Sequence, residues 1–594
     1  MTGTLDTTTG TSADPREPGS TALRGLEAAT VAVLTGLWVL ANVWWLRRDR
    51  SGQPLNIDEA GYLGLALNYA GGWQRGGPDG WVETLLSPSQ HAPLTTAVTS
   101  LVTLTGADPR SSAFGVLLGF AVLTVAVTYA FASRLRIPGV ALGSCLLLMS
   151  APGFIALSRN FVFAVPAAAV TMAALLFLQR SDGLRRTRWA VAFGIALGLM
   201  PLARTMLIAF AAVLAVVAAA HAVAHAAQGQ ARRRLVNLGV AAAVAAVVAG
   251  TWLIPSGRLV YEYLTDYGYG KHTQDYSAAA SSPPLRLLAV LGKDLFLPLM
   301  LVSALGWGLL ARHALRVTRG VRLRDRALVA LRSPLACSAA FVVGSGLALM
   351  SSENAGFGFA VPLIAPVVVV ATAGLLPATS ALHPRSGPLV ALLAIVAFAA
   401  VAAWPRYDDT GFMAQKRSLV VDGAQVLVTT GENGDDAYVF EDNRVGAAPG
   451  AITNRPTWGE EWAGAADTLT DAVLDGSTTR PDVAFGFRNR FMNVNVVQLE
   501  VLERLGYGVA ISQVDPTRWG RSEQDYVTWL TTGPAATSCQ LAVSRGSVNE
   551  FLPLPGTPEL LSAARDVGFS RGSSSIDLPD GRTIEVWERD GEGC

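Results

Sequence analysis

Apolar runs of helical length follow one another from about residue 25 to residue 404, with polar residues gathered in the gaps. The runs fall at about 25–46, 112–132, 139–157, 161–179, 189–203, 205–224, 236–255, 295–311, 334–350, 358–376 and 387–404. Each is apolar on every side, the pattern of helices that cross a bilayer. His91–Gly106 is also apolar, but about sixteen residues long with a proline near its start. A span needs roughly twenty residues, so this piece is expected to re-enter or lie in the interface. Residues 189–203 are short and interrupted by Pro201. Two helices broken at Arg204 are expected there, not one bent helix.

From Pro405 the pattern changes. Apolar runs shorten, and Asp, Asn, Gly and Thr increase. Strands are predicted at Gln425–Thr429, Tyr438–Glu441, Asp482–Phe487, Val509–Gln513, Cys539–Ser544 and Thr583–Glu588. Helices are predicted at Trp462–Leu474, Val496–Leu505, Ser522–Leu530 and Pro558–Val567. Such alternation describes a soluble α/β or α+β domain. The chain therefore divides into a polar tail (1–24), a polytopic α-helical membrane domain of about eleven spans (25–404, with a long loop at 47–111) and a soluble domain (405–594).

Composition agrees with the pattern: 51% of residues are apolar and 15% charged. A formal net charge of +1 gives no basic field for nucleic acid. The charges do carry topological information. With the tail in the cytoplasm, the inner loops hold Arg134 and Arg136, then Arg180, Arg185, Arg186 and Arg188, then Arg232, Arg233 and Arg234, then the stretch 312–332. That is the positive-inside pattern, and it makes the soluble domain extracytoplasmic. Arg47, Arg48 and Arg50 fall on the outer side, against the rule.

Cys145 and Cys337 lie in apolar runs and read as small core residues. Cys539 and Cys594 lie in the soluble domain, where an oxidising compartment would allow a disulfide that pins the C-terminus. No cysteine or histidine spacing suggests a metal site. His221 and His225 stand four apart at a helix end and read as a solvated terminus.

The outer face collects Asp58, Glu59, His91, Arg110, Arg159, Arg204, the Tyr-rich loop from Ser256 to Lys293 with Lys271 and His272, and Glu353 with Asn354. Polar groups gathered on one side of a membrane domain imply a shared wet cavity. Asp58 and Glu59 belong to the stretch N-I-D-E-A-G-Y (56–62) directly after the first span. Asn56 and Glu59 have capping-box spacing, and two acids in a first turn suit the helix dipole. A carboxylate at the exit of a span also suits chemistry, and a cap can hold such a carboxylate in place.

An acidic D-E after the first span, an amphipathic helix and H-A-P-L (91–94) together resemble the first extracytoplasmic loop of the GT-C glycosyltransferases. The protein O-mannosyltransferases and the aminoarabinose transferases of lipid A are the families most similar. The resemblance covers roughly residues 25–405. It implies a multi-pass enzyme of a bacterial plasma membrane, taking a sugar from a polyprenyl-phosphate donor. The acceptor would be an extracytoplasmic glycan, lipid or protein, and the transfer would invert the anomeric centre. Asp58 would be the general base, with Glu59 as positioner or understudy. His91, Arg159, Arg204, Lys271, His272 and Lys293 would contact the donor phosphate or substrate, with Glu353 beside them. The chain departs from the family at S-R-N-F-V-F-A-V-P (158–166), which has no acid after the S-R, and at Ala92, where a proline is usual. The missing acid argues against a metal-dependent mechanism, unless Glu353, Asp266 or Asp275 substitutes, so no cofactor is expected. A transporter or flippase, or a non-catalytic scaffold of envelope assembly, is the alternative. A transporter is expected to show inverted repeats and midplane charges, which this sequence lacks.

Overall fold

A computed structural model describes residues 18–50, 55–226, 230–270, 282–320, 322–354, 358–382, 386–407, 417–429, 458–475, 482–487, 491–506, 508–514, 522–545, 557–579 and 581–589. The membrane domain contains, in chain order, α1 (Pro18–Trp45), α2 (Ile57–Leu86), α3 (Leu94–Thr103), α4 (Pro109–Ala132), α5 (Val140–Ser150), α6 (Pro152–Leu157), α7 (Ala164–Arg180), α8 (Thr187–Ala203), α9 (Leu207–Ala226), α10 (Ala231–Gly268), α11 (Pro283–Asp294), α12 (Leu297–Val317), α13 (Leu323–Arg332), α14 (Pro334–Ser351), α15 (Val361–Leu382) and α16 (Gly387–Ala403).

Among the described residues, eight helices are long and apolar enough to cross a membrane: α1, α4, α9, α10, α12, α14, α15 and α16. The predicted runs at 139–157, 161–179 and 189–203 are the shorter apolar helices α5 with α6, α7 and α8. Pro152 opens α6 and divides the first of these runs, as a residue without an N–H must when it starts a helix. Arg204, in extended conformation, separates α8 from α9, so the expected break is present. The short piece at 91–106 contains only the ten residues of α3.

α15 runs through the middle of the bundle against α5, α7 and α12. At its crossing with α12, a Cβ on Gly306 would strike the Ala371 backbone and one on Gly374 would strike the Gly306 carbonyl. Backbone-to-backbone approach of this kind is how membrane helices gain packing without a hydrophobic driving force.

Two expectations need correction here. The predicted loop after residue 255 is mostly helix: α10 continues through Pro255 to Gly268, and α11 follows at Pro283. At about 1.5 Å per residue, α10 is far longer than a bilayer is thick. Its last turns carry Tyr263 and Tyr267, whose rings lie 4.9 Å apart. His221 is not a solvated helix end either. It is buried, with Nδ1 2.6 Å from the Leu331 carbonyl, and Arg332 Nε donates to Ala224 O at 2.9 Å. These contacts tie α9 to the end of α13.

The soluble domain contains β1 (Ser418–Val421), β2 (Ala424–Leu427), α17 (Trp458–Asp475), β3 (Asp482–Phe485), α18 (Val494–Leu505), β4 (Ala510–Gln513), α19 (Glu523–Thr531), β5 (Gln540–Arg545), α20 (Thr557–Asp566), β6 (Phe569–Asp577) and β7 (Thr583–Arg589). A five-stranded sheet has the order β4-β3-β5-β7-β6, with β3 parallel to β4 and β5 and the last three strands antiparallel. β1 and β2 form a hairpin through Asp422 and Gly423, both at positive φ, the backbone that a two-residue turn between twisted strands requires. The predicted strand at Tyr438–Glu441 lies outside the described residues. Cys539 is disulfide-bonded and Cys145 and Cys337 are buried and free; the expected partner, Cys594, lies outside the described residues.

The soluble domain docks on the back of α2. Asn493 caps α18 through bonds from the Asn495 and Val496 amides. Asn495 Nδ2 then donates to the Ile57 carbonyl at 2.7 Å. Ala60 and Leu63 share one apolar cluster with Val497, Leu499 and Val501. Gly61 lets the helices meet, since a Cβ there would lie 2.7 Å from Asn495 Nδ2.

Candidate active site

Asp58 and Glu59 part company within one turn. Asn56, in extended conformation, caps α2 by accepting from the amides of Asp58 and Glu59, both at 3.0 Å. Glu59 Oε2 accepts from the Asn56 amide at 3.2 Å and completes the capping box. The same carboxylate is fully buried, pairs with Arg50 Nη2 at 2.5 Å and accepts from the Phe161 amide at 2.9 Å. Glu59 is thus a strut between the turn after α1, the start of α2 and the loop before α7. It fixes the first turn of α2, which also carries Asp58. Arg50, one of the arginines that broke the topological rule, is the buried partner of this strut. Arg48, another, stacks on Trp44 at 4.2 Å.

Asp58 points elsewhere. It is half-buried, and its charge acts on Arg204 and on Tyr263 of α10. His91 stands in the same space, on a loop held from three sides. Ser256 Oγ accepts from the Ser89 amide at 3.1 Å, Trp252 Nε1 donates to Ser89 O at 3.2 Å, and Thr205 Oγ1 donates to Gln90 O at 3.1 Å. The His91 ring meets Tyr62 edge-on at 5.5 Å and Tyr263 at 6.3 Å, and Tyr62 lies 4.1 Å from Phe163. Burial pushes the His91 pKa down to about 4. The imidazole is therefore neutral near pH 7 and can offer one N–H, not a positive charge.

Arg204 supplies the cation. Its Nη1 donates to Gly358 O at 2.8 Å and its guanidinium lies 4.7 Å from the Phe359 ring. Burial lowers its pKa, while Tyr62, Tyr263, Asp294 and Asp58 raise it again. Asp294 was not singled out by the sequence. It ends α11 as the last polar residue before an apolar run, the one signal that could have found it. It is buried, and its pKa is pushed up to about 7 by burial, opposed by the Ala360 and Gly358 amides and by Arg204 and Lys293.

The remaining candidates scatter. Arg159 sits apart from this cluster: Nε donates to Asn42 Oδ1 at 2.7 Å, Nη1 donates to Arg406 O at 2.9 Å, and the guanidinium lies 4.1 Å from Trp45 and 4.6 Å from Tyr407. It joins α1 to the end of α16. Lys293 is half-buried next to Asp294. Glu353 is exposed on a segment tied to the end of α10, where Ser352 Oγ donates to Gly268 O at 2.8 Å and Asn354 Nδ2 to Tyr267 O at 2.9 Å. Arg110 faces Glu500 and Glu503 of the soluble domain. Lys271, His272 and Asp275 lie outside the described residues. Among the described residues, no group of three or more His, Cys, Asp or Glu side chains is placed to hold a metal ion.

The architecture is a bundle of apolar helices with an α/β domain docked behind α2. Two solved structures share it. ArnT from Cupriavidus metallidurans in the apo state is 15% identical with a TM-score of 0.54, covering 96% of this chain and 98% of that one. The structure of ArnT from the same organism bound to undecaprenyl phosphate is also 15% identical, with a TM-score of 0.51 over the same shares. No family model and no curated protein matches the chain.

Proposed function

We propose that the chain is an integral membrane glycosyltransferase that moves a sugar from a polyprenyl-phosphate donor to an acceptor hydroxyl outside the cytoplasm. The observation that carries this reading is the gathering of Asp58, His91 and Arg204 around Tyr62 and Tyr263 in a chain with the ArnT fold. That one ArnT structure holds undecaprenyl phosphate supports a lipid phosphate as the donor's carrier.

Each step falls to a residue of the site. Asp58 takes the proton of the acceptor hydroxyl as general base. The hydroxyl oxygen bonds to the anomeric carbon while the bond from that carbon to the phosphate oxygen breaks. In-line attack inverts the centre. The departing phosphate carries its own charge, so it needs a cation and an N–H and not a strong acid. Arg204 supplies the charge, and neutral His91 supplies the N–H. The faces of Tyr62 and Tyr263 suit a sugar ring. No metal is expected to take part, and unchanged turnover in the presence of a chelator is the check. Arginine clusters in the loops at the other helix ends support an extracytoplasmic side for this site.

The test is transfer by the purified full-length protein from a panel of polyprenyl-phosphate sugars, read by mass spectrometry of the glycan, lipid and protein fractions. Release of free polyprenyl phosphate with an equal amount of glycosylated product is expected. Lipid movement across a vesicle membrane without cleavage of any donor would replace this reading with transport.

A further inference from the structure

Arg204 does not hold itself in place. The turn 358–360 holds it: the Gly358 carbonyl accepts from the guanidinium at 2.8 Å and the Phe359 ring lies 4.7 Å from it. The turn, in its turn, has an anchor. Asp294 Oδ2 accepts from the Ala360 amide at 3.1 Å, and the Gly358 amide also bonds to this carboxylate. We propose that Asp294 is the positioning residue for Arg204, fixing the turn that aims the guanidinium at the donor phosphate.

Three further features fit this role. Asp294 is 3% exposed, so it meets no substrate itself. Gly153 packs directly on it: a Cβ there would lie 2.7 Å from both the Cα and Oδ1 of Asp294. The carboxyl group is therefore closed off on that side and aimed at the turn. Phe296, two residues on, has φ 51 and ψ 155. That region is comfortable for glycine alone, and such backbone persists only where the surroundings over-determine it. The end of α11 is thus held in one conformation, with Leu295 and Phe296 buried in the core of the bundle. Gly358 shows the same constraint at the other end. Its φ is +68, and a Cβ would strike Leu157 and lie 2.9 Å from Ala164.

The inference rests on the reading of Arg204 as a phosphate contact. Its test uses the full-length protein in nanodiscs, with undecaprenyl phosphate binding and donor turnover measured separately. Asp294→Ala is expected to weaken undecaprenyl phosphate binding and raise the donor KM, each about tenfold, with kcat changed much less, the signature of lost uniform binding. Asp294→Asn, which keeps an oxygen for the Ala360 amide, restores most of the affinity. It also serves if the alanine variant fails to fold. Adding Asp294→Ala to Arg204→Ala costs no further affinity, since residues acting through one another are not additive. Wild-type affinity in Asp294→Ala, additive losses in the double variant, or an Asp294→Asn as weak as Arg204→Ala would each overturn the proposal. If the wild type binds undecaprenyl phosphate but transfers nothing, the transferase reading fails while the affinity arm still decides on Asp294. If it does not bind, both fall.

Discussion

Asp58 and Glu59 are adjacent, chemically alike and on the same helical turn, and they do opposite things. Glu59 is buried in an ion pair with Arg50 and bonded to two backbone amides. Asp58 is half-buried, and its charge acts on Arg204 and Tyr263. The cause is geometric. Successive helical residues point about 100° apart, so when one acid faces inward to lock the helix, its neighbour points toward Arg204 and Tyr263. Under the proposed function the pair is one device, a fixed acid that holds a working one.

The comparison can be broken most sharply at Asp58. Asp58→Asn keeps the size of the side chain, so the thermal transition should stay close to wild type. Transfer should fall by roughly the 10²–10⁴-fold that a general base supplies. Near-normal turnover would leave Asp58 a surface residue of a cap. Glu59→Ala should behave in reverse. Removing one member of a buried ion pair costs about 3–5 kcal/mol, seen as a lowered melting temperature and poor recovery from the membrane. A well-folded Glu59→Ala protein with abolished turnover would make Glu59 a reactive group after all.

Arg159 gives a smaller test of the same contrast. Arg159→Lys loses the planar fork that reaches Asn42 and Arg406 O, at about 1–3 kcal/mol, with donor affinity unchanged. A fall in affinity at full stability would return Arg159 to the phosphate. The mildest effect comes from pH. The His91 pKa is lowered from 6.5 to about 4. Its contribution to stability is therefore present above about pH 6.5 and lost as pH falls toward 4. Hydrogen exchange in the loop 87–93 should accelerate over that window, and His91→Asn should flatten the response. Asp294 runs the other way: its pKa is raised from 3.8 to about 7, so its contribution fades as pH rises through 7.

The eleven apolar runs were legible because a membrane helix writes its whole length in one kind of residue. The same rule hid the extension of α10, whose last turns are polar and aromatic and follow a proline. β6 was hidden for a related reason: its run F-S-R-G-S-S-S-I-D has no apolar alternation, because most of its side chains face solvent. The capping box of α2 could be read from four residues. The fate of Glu59 could not, since it depends on Arg50 nine residues upstream and on the Phe161 amide more than a hundred residues downstream. The scattering of Arg159 away from Arg204 is equally non-local. Both follow serine- or alanine-rich apolar sequence, and only the packing of α1 and α16 separates them.

The docking of α18 against α2 bears on how the chain can be divided. Asn495 holds the carbonyl of Ile57, one residue before Asp58, and the apolar cluster behind Ala60 and Leu63 belongs to the soluble domain. A chain cut at residue 404 would leave that face of α2 bare and the first turn of the helix without its outer brace. The two domains are therefore not exchangeable modules. A homologous soluble domain could replace this one only if it brought a matching helix and an amide donor to the same carbonyl, so the two halves of the sequence are bound to change together.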